Sequence, residues 1–205
     1  MESQARGGTR WKRFGVVMVP SVAASAAIGV ALAQGALAAS FAVSGQQFKV
    51  TTERLEGTGF VQYGALDVKH DDELVPVAVS AFNSATINKL CQSVVVPTPI
   101  GDVTVKLGAG DNPAKPVKAK NLFIDITDLN ADATFTNIDI GVSVDHSSKG
   151  PTPKSGEHRV PGSFAQQADK AVLTGVKQTA WATSAGTFEL NGLKMKVHKG
   201  KNECY

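Results

Sequence analysis

The sequence lacks every arrangement that would mark it as an enzyme, a metal protein or a nucleic-acid binder. No serine stands in Gly-x-Ser-x-Gly, the strand-to-helix turn that raises a hydrolase nucleophile. Gly141-Val142-Ser143 comes nearest, but Asp145 replaces the second glycine and Ser143 falls inside a predicted strand. The two cysteines, Cys91 and Cys204, are far apart and are not paired with histidine, so no zinc spacing exists. Gly108-x-Gly110 runs into Asp111 and Pro113, which would repel a phosphate and withhold an amide. Asp128-x-Asn130-x-Asp132, with Asp139 twelfth in the count, imitates a calcium loop, but Ala133 stands where glycine is required and strands replace the flanking helices. His70-Asp71-Asp72-Glu73 resembles a metal cluster only in composition, because adjacent side chains of an extended segment point to opposite faces. None of the four histidines is near a glycine-flanked nucleophile. No catalytic residue, metal ligand or cofactor is assigned, and no enzyme is expected.

Charge is absent from one long stretch, Phe14 to Phe48, preceded by Arg6, Arg10, Lys12 and Arg13. Its most apolar part, residues 14–39, exceeds the roughly 20 residues that a spanning helix needs. A signal peptide would carry a shorter apolar core of roughly 7–15 residues and a small-x-small cleavage site. Ala31-Leu32-Ala33 and Ala36-Leu37-Ala38 both offer such a site. The length of the run favours an uncleaved anchor. With either outcome the basic residues keep the N-terminus cytoplasmic and place residues from 40 onward outside, secreted if the segment is cut. The expected organisation is a basic cytoplasmic tail over 1–13, a transmembrane anchor or signal segment over 14–39, and an exported β-rich domain over 40–205. Removing the four bases and one acid of the tail from the chain's 21 and 18 leaves 17 of each outside. A nucleic-acid binder needs a basic face, so nucleic acid is not an expected partner.

Two cysteines in an oxidising compartment predict a disulfide, Cys91–Cys204, tying the end of the chain to its middle. The clearest periodicity lies in KAKNLFIDITDLNADATFTNIDIGVSV, residues 118–144. Leu122, Ile124 and Ile126 share one face, Ile138, Ile140, Val142 and Val144 another, and Asp125, Asp139 and Ser143 point the opposite way. Period-two alternation of this kind predicts antiparallel strands with one wet side. Ser84 to Val96 reads as a short helix leading into a strand or as two strand pieces. HSSKGPTPKSGEHRVPGS reads as a long exposed loop, and VKQTAWATSAGTFELNGLKMKV as a hairpin turning at Ser184-Ala185-Gly186. The fold expected is all-β, an antiparallel or stacked β-sheet domain preceded by one N-terminal apolar helix. An open or stacked sheet is preferred to a regular β-helix.

The stretches FAVSGQQFKV, GFVQYGALD, NKLCQS, AKNLFIDITDLNADATFTNIDIG and GTFELNGLKMKV cover most of the chain after the tail. In them the sequence resembles a family of uncharacterised actinobacterial proteins with a basic tail, one apolar segment and an exported all-β domain. Some members carry the label "cholesterol esterase", which no nucleophile here supports. The resemblance also implies a small multi-spanning membrane protein as partner. Two functions follow as expectations. One is a structural or accessory role in the cell envelope, without catalysis. The other is a binding module for a lipid or other apolar ligand, with Phe135, Phe188, Leu193 and Met195 lining an apolar groove.

Overall fold

The computed structural model describes residues 43–205, which belong to one compact unit, Ser40–Tyr205. The basic tail and the apolar segment of the sequence lie outside the described residues. Nine strands follow one another: β1 (Phe48–Val68), β2 (Leu74–Asn88), β3 (Leu90–Thr98), β4 (Gly101–Ala109), β5 (Val117–Thr136), β6 (Asp139–Ser143), β7 (Phe164–Ser184), β8 (Thr187–Glu189) and β9 (Lys194–Lys199). A single 3-10 turn, Val144–His146, interrupts them. Every ladder between named strands is antiparallel, and all nine belong to one sheet. The all-β expectation holds.

The sheet does not stay open. β1 pairs with β2, β2 with β5, β5 with β7, and β7 returns to β1 through Phe48↔Ala180 to Tyr63↔Ala165. Four long strands thus close into a ring. Its interior is the main core, built from Leu55, Phe60, Phe82, Leu122, Ile124, Ile126, Leu173 and Val176. A ring of only four strands is narrow, so large and small residues must alternate across it. Phe60 stands opposite Ala168, and Phe135 opposite Ala171. Gly57 completes the scheme: a Cβ added there would stand 2.2 Å from Cδ1 of the Phe82 ring.

Two kinks let single strands serve both the ring and its extension. Lys89, at φ 51, separates β2 from β3, yet Arg54↔Asn88 and Thr51↔Cys91 keep both on the same edge of β1. Ser84–Val96 is therefore two strand pieces. Likewise β7 and β8 both run along β5, through Phe123↔Ser184 and Lys120↔Thr187. The predicted hairpin at Ser184-Ala185-Gly186 is instead a kink, where Gly186 N–H donates to Lys120 O (2.9 Å) opposite Asn121 at φ 48. From β1 the sheet continues outward through β3, β4 and β9 as a three-stranded apron.

The segment after the 3-10 turn, residues 147–163, is a strap laid over the outer side of the ring, and not the freely exposed loop its Pro, Gly and polar residues suggested. Backbone N–H groups of Ser148 and Lys149 donate to the buried Gln167 Oε1 (2.7 and 3.1 Å), and Leu66 N–H donates to His158 O (2.8 Å). Beneath it lies a second apolar cluster of Val61, Tyr63, Val77, Val79, Phe123 and Val144. Asp125, expected on a wet face, is accordingly 5% exposed. The alternation over Ile138–Val144 also breaks. Gly141 (φ 88) accompanies a register shift between Ile140 and Val142, leaving Ile138 and Ile140 exposed while Val144 is buried.

Candidate functional site

All four ring strands line a cavity of about 230 Å³. Its wall is apolar: Leu55 and Phe60 from β1, Phe82 from β2, Ile124, Ile126 and Phe135 from β5, Leu173 and Val176 from β7. Phe60 links two aromatic neighbours, 5.3 Å from Phe82 and 5.2 Å from Phe135 between ring centres. Gln178 on β7 and one rung of the ring break the apolar wall. Gln62 is the ladder partner of both Ser80 and Gln166. Gln166 Nε2 donates to Gln62 Oε1 (2.5 Å), and Gln62 Nε2 donates to Ser80 Oγ (2.7 Å). An apolar wall with a few convergent amides and a hydroxyl is the composition of a small-molecule site.

A second concentration of polar groups lies under the strap. Asp67 on β1, Asp125 on β5 and Glu157 on the strap sense one another's charge. Burial lifts all three carboxyls above their ordinary range, and the neighbouring Asp125 charge lifts Asp67 further, to about 7. Lys154 opposes the rise at each of them, and Arg159 does so at Glu157. The Lys154 ammonium also sits 4.8 Å from the centre of the Phe123 ring. Tyr63, 2% exposed, brings its hydroxyl toward Glu157 without a well-formed hydrogen bond, and burial pushes the phenol up. Oδ1 of Asp125, Oδ2 of Asp67 and Oε2 of Glu157 are buried and unpaired. Two of these carboxyls belong to ring strands and one to the strap, so the strap closes over groups that burial disposes to keep their protons. Among the described residues no three His, Cys, Asp or Glu side chains converge to hold a metal ion. No helix among them is long and apolar enough to cross a membrane, which says nothing of strands.

The residues singled out in the sequence are divided among several places. Cys91 and Cys204 have their sulfurs 2.00 Å apart, at disulfide distance, joining β3 to the C-terminal tail. The predicted groove is not one surface. Phe135 lines the ring cavity, whereas Phe188 contacts a small space beside Leu122 at the other end of β5. Phe188 pairs with Ala119, sixteen positions from Phe135, or about 50 Å of extended chain. Leu193 and Met195 are exposed, Met195 on β9. The groove expectation grouped side chains of similar chemistry, but a shared chemistry does not place them together. Sequence reading also missed Gln62, Ser80 and Gln166, which are unremarkable polar residues until ring closure turns them inward. It missed Asp67 and Glu157 for the same reason: only the strap buries them.

Neither a curated protein nor a solved structure matches the chain. A family match does exist, and it spans residues 44–205, which include all nine strands, the ring cavity, the strap and both cysteines. By that match the chain belongs to the family of unknown function DUF6230.

Proposed function

We propose that the protein is an extracytoplasmic, membrane-anchored binding domain that takes a compact apolar group into its β-ring and performs no catalysis. The cavity of about 230 Å³ inside the ring carries this reading. Apolar cavities of this order stay dry and accept small hydrocarbons. A branched or cyclic hydrocarbon portion of a lipid suits the space lined by Phe60, Phe82 and Phe135, and a hydroxyl or carbonyl on it suits Gln166 and Ser80. Export is supported by the basic-then-apolar N-terminal sequence and by the cysteine pair. The esterase label of the resembling family has no nucleophile motif behind it in the sequence. Among the described residues no histidine side chain hydrogen-bonds to a serine hydroxyl.

The test is native mass spectrometry of the full chain purified in mild detergent from an exporting host. An added mass in the lipid range, lost on denaturation, is expected. It should weaken or vanish in Ala131→Leu, which sets a larger side chain in the cavity wall, while the variant still melts cooperatively. A bare mass in the wild type would sink the ligand reading. It would leave the second reading, a structural or accessory envelope protein paired with a multi-spanning membrane protein, which the N-terminal sequence favours.

A further inference from the structure

The apron has two unlike faces. On one, the C-terminal tail is fastened: Cys204 N–H donates to Ser93 Oγ (2.9 Å), Thr104 Oγ1 donates to Gly200 O (2.6 Å), and Lys106 Nζ donates to Glu203 O (3.1 Å). The other face is bare at its outer end. Register puts Val94, Val105 and Val197 in one row, and Val96, Val103 and Lys199 in the next. Met195 and Val197 are 63% and 66% exposed. At the β3–β4 turn beyond them Ile100 is 84% exposed, the highest value among the exposed large apolar side chains of the described residues. Water gains nothing from such a face, and soluble surfaces seldom keep one.

Charge identifies what covers it. The carboxylates around the apron are matched: Asp111 with Lys194 (2.8 Å), Glu203 with Lys49 (3.2 Å), Asp102 with Lys201 (4.0 Å). Lys196 and Lys199 on β9 have no acidic partner among the described residues. Lys199 closes the outermost row beside Val103, so a cation stands just behind the apolar turn. A second exposed apolar group, Ile140 and Phe164 on β6 and β7, has the opposite setting, with Asp139, Asp145 and Asp169 against Lys149 and Arg159. The lysines of β9 also argue against edge-to-edge pairing with a second copy, since like charges would face one another across it.

We propose that the outer end of the apron, with Ile100 leading and Lys199 behind it, docks on a bilayer surface carrying anionic headgroups. Ile100 and Val96 enter the boundary between headgroups and acyl chains, and the Lys199 ammonium remains at phosphate level. This contact is independent of the ring cavity.

The experiment uses the full chain reconstituted into vesicles of phosphatidylcholine alone or mixed with phosphatidylglycerol, each doped with brominated phosphatidylcholine. Tryptophan is introduced as Ile100→Trp or, for comparison, Ile140→Trp, and the emission added to the parent is followed. In anionic vesicles the Ile100→Trp emission should shift to the blue and be quenched, while that of Ile140→Trp is not. Adding Lys199→Glu should lower the docked-to-undocked ratio by roughly thirtyfold, as expected for charge reversal beside an anionic surface. An unchanged melting temperature of that variant shows that the loss is not unfolding. Equal quenching of the two tryptophans, no quenching of either, or shielding of Ile100→Trp by cross-linkable dimers would each overturn the proposal.

Discussion

Replacing Gly57 with alanine sets one methyl group against one phenyl ring. The added Cβ would stand 2.2 Å from Cδ1, 2.8 Å from Cε1 and 3.0 Å from Cγ of Phe82. That ring is 2% exposed and rests against Phe60, so it can retreat only toward the ring cavity, away from its contact with Phe60. Overpacking of this kind costs about 1–3 kcal/mol. Alanine loses less chain freedom than glycine in a strand and returns about 0.5–1 kcal/mol. The net loss should be about 1–2 kcal/mol, or about 2–8 °C in melting temperature for a domain of this size. Phe82→Ala alone should cost about 3–5 kcal/mol. In that background the obstruction is gone, and Gly57→Ala should become neutral or stabilising by about 0.5–1 kcal/mol. The two changes therefore couple by about 2 kcal/mol. Urea unfolding of the full chain and its three variants in mild detergent, followed by far-ultraviolet circular dichroism, measures the cycle. A Gly57→Ala cost that is the same in both backgrounds, within about 0.5 kcal/mol, would refute the close approach of β1 to the Phe82 ring.

Three further outcomes are expected. Because burial raises Asp67 from 3.8 to about 7, its contribution is complete below 3.8 and is lost as pH rises to about 7, and the raised Asp125 and Glu157 act in the same direction. The melting temperature should fall between about pH 4 and pH 7, and Asp67→Asn should flatten that slope; a wild-type profile rising over the same range would be the wrong sign. Gly150→Ala places a Cβ 2.5 Å from Val61 Cγ1 and 2.8 Å from Val61 N, so the strap should lift and trypsin should cut at Lys154 or Arg159 faster than in the wild type. Equal cleavage rates would mean that the strap is not seated there. Cys91→Ser with Cys204→Ser opens a loop with a sequence separation of 113 and should cost about 5 kcal/mol in the chain-entropy account, read as a lowered melting temperature that added reductant no longer changes.

Local chemistry was legible from the sequence, and closure was not. Leu122, Ile124 and Ile126 do share the inward face, because period-two alternation reports the two sides of a strand directly. Cys91 and Cys204 were legible because only two cysteines exist to pair. Alternation does not say which strands are neighbours, so the return of β7 to β1 was invisible. With it went the cavity, whose walls come from residues as distant as Leu55 and Gln178. The strap misled for a related reason. Its proline, glycine and charge mark irregular backbone correctly, but irregular backbone is buried wherever a side chain such as Gln167 satisfies its amides. Asp125 was consequently placed in water, although it follows its strand's alternation faithfully. The exposed face it occupies is roofed by a segment more than twenty residues further along.

The joining of β1 to β7 also orders the birth of the protein. Phe48 pairs with Ala180, 132 positions later, so β1 keeps one edge unpaired until nearly all of the chain has emerged. At about 5–20 residues per second that interval lasts roughly 7–26 s. β1, β2 and β3 can meet earlier as a meander, yet their inward faces, with Phe60 and Phe82, remain open until β5 and β7 arrive. A strand edge and an apolar face left waiting together are the conditions for mispairing. Slow emergence therefore favours a holding partner during biogenesis, and shortening the chain before β7 should yield aggregate in place of a smaller folded domain.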